Sequence, residues 1–264
     1  MKVTILGSGT STGVPEYRCD CDTCVDARRP GSRNHRTRPS IHVEADGHRL
    51  QFDTGPNFLD QIDRCQIPRI DAVLYTHCHA DHISGTNDLV MPCRKQESDM
   101  RVFGPPQTME VLQRNFDYLF TREAYQGGGV AHLAPHAVNG TFEIDGVEVT
   151  PVPVEHAAVA TVGYRLGKLG YVPDAKVIPP KSLRKLRGVD LLILDALSFN
   201  SRHPTHLSVA EALAVAAEVA PRRVFFTHIM HRLDHDRFPE QCAEKGISLP
   251  ENARLSYDGM VLEV

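Results

Sequence analysis

The segment Thr76-His77-Cys78-His79-Ala80-Asp81-His82 places three imidazoles and one carboxylate within six positions, directly after the apolar run Ala72-Val73-Leu74-Tyr75. Imidazole and carboxylate are donors to zinc and similar divalent cations, and a metal site needs several of them to converge. If the apolar run is a strand, side chains alternate along its extended end, so His77 and His79 point the same way. A helix starting near Asp81 would turn Asp81 and His82 toward a neighbouring position. The chemistry expected is that of two adjacent metal ions. Isolated histidines usually make ordinary surface or core hydrogen bonds, but this density is hard to explain in that way.

A second cluster, Cys19-Asp20-Cys21-Asp22-Thr23-Cys24, offers three thiol donors in a loop rich in turn residues. A closed structural zinc site would need one more ligand; a redox pair is the other reading. The total of seven cysteines is odd and the rest are scattered, which does not resemble a disulfide framework. The opening Leu6-Gly7-Ser8-Gly9-Thr10-Ser11-Thr12-Gly13-Val14-Pro15 could cradle a phosphate. No phosphate-loop lysine follows it, so a tight turn beside the site is the better reading. The short basic run Arg33 to Ser40 could draw an anion or form a solvated face.

These residues must be positioned by a mixture of strands and helices. Strand-length apolar runs occur at Val3 to Leu6, Ile41 to Ala45, Leu50 to Phe52, Ala72 to Tyr75, Val147 to Pro153, Thr161 to Leu166, Leu191 to Leu194, Val224 to Phe226 and Met260 to Val264. Helices are expected over Pro106 to Phe120, with Met109, Leu112, Phe116 and Leu119 at helical spacing, and over Leu207 to Ala220. Early hairpins followed by alternating units predict an α/β architecture with helices on the outer faces of sheets. Gly127-Gly128-Gly129 reads as a flexible loop, and residues 1–264 as a single domain. The chain has 41% apolar and 23% charged residues and no apolar run of membrane-spanning length, which predicts a cytoplasmic globular protein. A net charge of −4 without a Lys/Arg-rich block argues against a long nucleic acid as partner.

The H-x-H-x-D-H pattern after a strand resembles the metallo-β-lactamase superfamily, and the resemblance runs over almost the whole chain. It implies an αββα sandwich of two mixed sheets flanked by helices. It further implies a third histidine after a later strand, which His156 supplies in Val152-Pro153-Val154-Glu155-His156. A bridging aspartate after another strand corresponds to Asp174 in Gly170-Tyr171-Val172-Pro173-Asp174, and a last strand-end histidine to His228 in Val224-Phe225-Phe226-Thr227-His228. By this resemblance one metal takes His77, His79 and His156, the other takes Asp81, His82 and His228, and Asp174 lies between them. Zinc or manganese is the metal implied. Relatives carry a small hydroxyl residue before the bridging aspartate, where this chain has Pro173.

Within the superfamily the cysteine loop is similar to that of PhnP-like phosphodiesterases. There a histidine three residues beyond the last catalytic histidine completes a structural site, which would make Cys19, Cys21, Cys24 and His231 a closed zinc site. The same relatives carry, beside the phosphate, a histidine at the position of His206, and it is not a metal ligand; a plain histidine at a helix start is the alternative. The resemblance thus implies a metal-dependent hydrolase of small, cyclic phosphate diesters. A hydroxide bridging metals about 3.5–4 Å apart would attack phosphorus, and Asp81, Asp174 and His206 would be the catalytic residues.

The metal motifs are shared by enzymes that cleave thioesters, lactams, lactones and RNA. An RNA 3′-processing endonuclease would need a basic arm, and no long Lys/Arg-rich insertion is visible. A non-hydrolytic metalloprotein resembling PqqB shares a cysteine loop but has no chemical reason to keep all seven catalytic ligands. The expected partner is a small phosphate diester, with neither membrane nor long nucleic acid, and a homodimer is left open.

Overall fold

Leu191-Leu192-Ile193-Leu194-Asp195 is buried at every position, as expected of a strand covered on both faces. Leu191 and Ile193 enter one apolar cluster and Leu192 and Leu194 another, so the two-residue period of a strand divides one run between two cores. The same division governs Ala72-Val73-Leu74. The computed structural model describes residues 1–121 and 131–264; the glycine loop expected at Gly127 to Gly129 lies outside them.

One sheet contains β1 (Lys2–Gly7), β2 (Ser40–Ala45), β3 (His48–Phe52), β4 (Ala72–Leu74), β5 (Met100–Gly104) and β6 (Leu133–Ala137). The other contains β7 (Phe142–Ile144), β8 (Val147–His156), β9 (Val159–Leu166), β10 (Leu169–Val172), β11 (Leu191–Asp195), β12 (Arg223–Thr227) and β13 (Ala253–Leu255). The last strand, β14 (Val261–Glu263), returns to pair antiparallel with β1. Both sheets are mixed. β3 through β6 run parallel, as do β10 through β13, while the other neighbours pair antiparallel.

The cluster containing Val3, Phe52, Leu74, Tyr164, Tyr171 and Ile193 fills the space between the sheets. Helices cover the outer faces. α2 (Phe58–Arg64), α4 (Val90–Gln96) and α5 (Pro106–Asn115) bury Phe58, Ile62, Cys93, Met109 and Leu112 against the first sheet. α7 (Pro180–Leu186), α8 (Val209–Val219) and α9 (Phe238–Glu244) bury Leu183, Leu186, Ala212, Ala216 and Phe238 against the second. Short helices α1 (Asp22–Ala27), α3 (Ala80–Ile83) and α6 (Asp117–Phe120) lie in the connections. The layers are helix, sheet, sheet, helix, the sandwich anticipated above. Among the described residues, no helix is long and apolar enough to cross a membrane.

The helix expected over Pro106 to Phe120 is two helices. It breaks at Phe116, with φ −130° and ψ 38°, where Asn115 and Asp117 flank the break. Such residues compete with helical hydrogen bonds, and the Asp117 carboxylate accepts from the Tyr118 amide at 2.8 Å. α8 starts two residues later than expected. Ser208 caps it, its hydroxyl accepting from the Glu211 amide while the Glu211 carboxylate accepts from the Ser208 amide at 2.7 Å, a reciprocal capping box. Replacing Ser208 with alanine should cost about 1 kcal/mol, or roughly 2–4 °C in Tm for a chain of this size, by calorimetry.

Candidate metal centre

The carboxyl ends of the parallel strands meet along one edge of the sandwich. Open α/β sheets characteristically place their ligands at such ends. β4 ends at Leu74; the chain then passes through His77 to His79, itself extended, and turns into α3, whose first residues carry Asp81 and His82. His156 ends β8, Asp174 follows β10, Asp195 ends β11 and His228 follows β12. The second sheet grips the β4 loop directly: the Val162 amide donates to the Thr76 carbonyl at 3.0 Å and the Tyr164 hydroxyl to the Tyr75 carbonyl at 2.7 Å.

Two main groups of donors result, and His206 forms smaller ones with His156 and Asp174 and with Asp195 and His228. His77, His79 and His156 bring one ring nitrogen each within 4.8 Å of one another, and so do the donor atoms of Asp81, His82, Asp174 and His228. His79 Nδ1 lies 2.9 Å from His77 Nε2 and 3.1 Å from His156 Nε2. Asp174 faces both groups. Its Oδ2 is 3.5 Å from His156 Nε2 and 3.3 Å from His228 Nε2, and its Oδ1 is 3.2 Å from His82 Nε2. Asp81 Oδ2 is 3.4 Å from both His82 Nε2 and His228 Nε2. His206 stands beside them with Nε2 3.9 Å from Asp174 Oδ2. Proline at 173 leaves Asp174 in place between the groups.

The orienting groups behind these side chains escape a reading of the sequence. His82 Nδ1 donates to Asp53 at 2.8 Å, and Asp53 also accepts from the Thr76 amide and hydroxyl at 2.8 and 2.9 Å. His156 Nδ1 donates to the Thr205 carbonyl at 2.8 Å, and His206 Nδ1 to Asp195 at 2.9 Å. Each bond fixes a ring and leaves Nε2 facing the centre, the usual duty of groups behind metal-ligating histidines. The available signal was a carboxylate closing an apolar strand, as Asp53 closes β3 and Asp195 ends β11. Asp53 and His228 take left-handed φ values of 57° and 58°, a strained conformation tolerated where surroundings over-determine it. Gly55 has a different reason: a Cβ there would collide with the Asp81 carbonyl, so the loop after β3 can press against α3.

Burial alone would raise the Asp174 carboxyl, but His228 and His82 hold it well below the usual carboxylate range. Asp81 is held down likewise, burial being outweighed by His82 and His228. Burial opposes charge on the two imidazoles too; Asp174 and Asp81 nonetheless raise His82 well above its ordinary value and push His228 up to about 9. His77, His79 and His156 are lowered, first by burial. His82 Nε2 and Asp174 Oδ1 are buried without a well-aligned hydrogen bond. Buried polar atoms of this kind, in a set of imidazoles and carboxylates, fit divalent cations. Cations entering would displace protons from His82 and His228, so affinity should rise with pH.

A second centre lies at the cysteine loop. The sulfurs of Cys19, Cys21 and Cys24 are 3.3, 3.4 and 3.5 Å from His231 Nδ1. A tetrahedral zinc with usual bond lengths has sulfur-to-nitrogen edges of roughly 3.5 Å. His231 Nε2 faces Glu16 at 3.4 Å, which leaves Nδ1 free to ligate. Burial pushes the Cys24 thiol up to about 12, a cost that a cation removes by stabilising the thiolate.

Of the opening glycines, Gly13 takes a positive φ of 69°, whereas Gly7 permits close approach, since a Cβ there would strike the Arg38 carbonyl. Thr10 and Ser11 reach the cavity over the metal centre. The basic run is neither an anion trap nor a solvated face throughout. Arg36 is fully buried, and Arg38 donates to the Ser11 carbonyl at 3.0 Å and to Asn57 at 3.1 Å.

Exchanging Asp53 for asparagine should weaken metal binding about 10- to 100-fold, read by chelator competition, with the fold retained by circular dichroism. The Cys21→Ser variant should lose zinc and about 3 kcal/mol of stability, roughly 10 °C in Tm. The histidine and aspartate centre should keep its metal in the folded fraction. A loss of catalysis with unchanged zinc and stability would contradict a structural role.

Residues 48–229 match the beta-lactamase superfamily domain. An octanoyltransferase of Porphyromonas gingivalis is 29% identical over 261 residues; the match takes in 98% of this chain but 51% of that protein, so this chain spans about half its length. A crystal structure described as a new diphosphatase from the PhnP family is 36% identical and superposes with a TM-score of 0.87, covering 100% of this chain and 97% of that one. Zinc-bound PqqB from Methylobacterium extorquens is 25% identical, with a TM-score of 0.77 and 100% coverage of both chains. This fold, together with the histidine and aspartate cluster, implies divalent-metal binding. With the superfamily domain matched over most of its length and a PhnP-family structure matched end to end, the chain belongs to the beta-lactamase superfamily and, within it, to the PhnP family.

Proposed function

We propose that the chain is a two-metal phosphodiesterase for small phosphate diesters, cyclic ones foremost. The observation that carries this reading is Asp174, a buried carboxylate shared by two donor groups, with the His206 imidazole beside it; His206 also meets ligand geometry with His156 and Asp174, and the resemblance assigns it to the phosphate rather than to a metal. His77, His79 and His156 would hold one ion, Asp81, His82 and His228 the other, and Asp174 both. Zinc or manganese suits the donors. Bound there, the ions supply Lewis acidity toward the phosphoryl oxygens and a nucleophilic water at neutral pH.

The protein's own groups do the rest. Asp53 and the Thr205 carbonyl hold His82 and His156 in register. Asp195 accepts from His206 Nδ1, so a proton carried on Nε2 is aimed into the cavity, where it can pass to a departing alkoxide or hold a phosphoryl oxygen. The cavity, about 410 Å³, suits a nucleotide-sized ligand. Among the described residues that line it there is no lysine or arginine, which disfavours a long nucleic acid as substrate.

The diphosphatase of the PhnP family supports a second reading, cleavage of a diphosphate. A diphosphate brings more negative charge than a diester, and among the described residues the lining adds no lysine or arginine to meet it. The octanoyltransferase relative makes an octanoyl thioester a useful control substrate. The metal-loaded protein should therefore hydrolyse bis(p-nitrophenyl) phosphate and 2′,3′-cyclic nucleotides faster than a diphosphate diester or an octanoyl thioester; the reverse order would overturn the proposal.

His206→Ala should keep both metals and lose about a hundredfold or more in turnover. A poor alkoxide leaving group needs protonation more than p-nitrophenolate does. A proton donor therefore predicts the larger defect on the cyclic nucleotide. Equal defects would assign His206 to phosphate binding, and unchanged kinetics would remove it from the mechanism.

A further inference from the structure

The segment between β11 and α8 sends two imidazoles into the cavity, and the mechanism above uses only one. His203 lines the same space as His206, with ring centroids 5.2 Å apart. Its Nδ1 faces the amide and hydroxyl of Thr205 at 3.5 and 3.4 Å. The amide can only donate, so Nδ1 is the acceptor and the ring proton sits on Nε2. That Nε2 has no hydrogen-bond partner among the described residues. Burial and then His206 lower the ring's affinity for a second proton, which keeps it a neutral donor. Hydroxyl residues Thr10 and Ser11 line the same cavity. The ammonium of Lys176 is engaged elsewhere, 2.7 Å from Glu211 and 3.1 Å from the Ser201 carbonyl.

We infer that His203 is a specificity-determining residue that donates its Nε2–H to an oxygen of the leaving group, and that this group is a hydroxyl-bearing one, the sugar or polyol half of the diester. The inference rests on the diesterase reading above. An oxygen departing toward His206 carries the rest of its group past the neighbouring ring. What it meets is a neutral donor in a cavity also lined by Thr10 and Ser11, residues whose side chains can pair with alcohol oxygens. It gives a second phosphate no formal charge to pair with.

The test uses the full metal-loaded chain with His203→Ala and His203→Gln. In titration calorimetry adenosine 3′-monophosphate should bind the alanine variant about tenfold more weakly, while inorganic phosphate, which shares the metals but has no sugar, binds as before. Glutamine keeps an N–H donor and should restore most of the loss. In turnover, 2′,3′-cyclic AMP should lose about tenfold in kcat/KM, chiefly through KM, with bis(p-nitrophenyl) phosphate changed by no more than about twofold. Equal weakening of nucleotide and phosphate, equal losses on both diesters, or no change at all would overturn the inference. A wild-type protein that cleaves neither diester but shows the nucleotide-selective binding loss would sink the diesterase reading alone. One that cleaves both with an indifferent His203 would sink the contact alone.

Discussion

A carboxylate at 2% exposure cannot be carried into a protein interior unless positive charge or strong donors meet it. Asp174 is such a group, and much of the structure answers it. His82 comes from one sheet and His228 from the other, each within about 3.3 Å of its oxygens. His82 in turn needs Asp53 on its far nitrogen, and Asp53 needs the amide and hydroxyl of Thr76. The β4 loop is then clamped by hydrogen bonds from β9. One buried charge thus propagates outward through a chain of donors and acceptors until it reaches regular secondary structure, where the backbone is already satisfied.

The cysteine centre belongs to the same arrangement. Ile229 follows His228, and its amide donates to the Ser8 carbonyl while its own carbonyl accepts from Thr10. His231, two residues on, closes the group formed with Cys19, Cys21 and Cys24. A metal at this second centre would fix the segment that carries Thr10 and Ser11 to the cavity wall, without having any open position of its own for chemistry.

Much of the candidate site was legible because ligand chemistry concentrates rare residue types at short spacing. His77, His79, Asp81 and His82 stand within six positions, and the strand before them is a plain apolar run. His156, Asp174, His228, His206 and His231 were legible only through resemblance, since each is a single polar residue after an ordinary strand or loop. Asp53 and Asp195 show in the sequence only as carboxylates closing apolar strands, for their role exists in the distances to rings brought from elsewhere in the chain. β1 to β4, β8, β9, β11, β12 and β14 were readable from apolar runs, whereas β5 and β10, although inside their sheets, were not among those runs. β6, Leu133-Ala134-Pro135-His136-Ala137, was not, because it is a largely exposed edge strand without alternation and contains a proline. β13 is only three residues long. The continuous helix expected over Pro106 to Phe120 failed at Phe116 because apolar spacing cannot register a local hydrogen bond that ends a turn.

The donor groups also have a mechanical meaning. His77, His79, Asp81 and His82 hang from one sheet, and His156, Asp174 and His228 from the other, with β5 to β7 between them in the chain. Any ion held by both sets is a cross-link between the two halves of the sandwich, closing a loop of more than seventy residues from His82 to His156. Because the donors converge only in the folded chain, such an ion binds and stabilises the assembled sandwich rather than the unfolded chain. The centre would therefore act as a rivet as well as a reagent, and a chain stripped of its ions would first come apart along the seam between the sheets, at the mouth of the cavity.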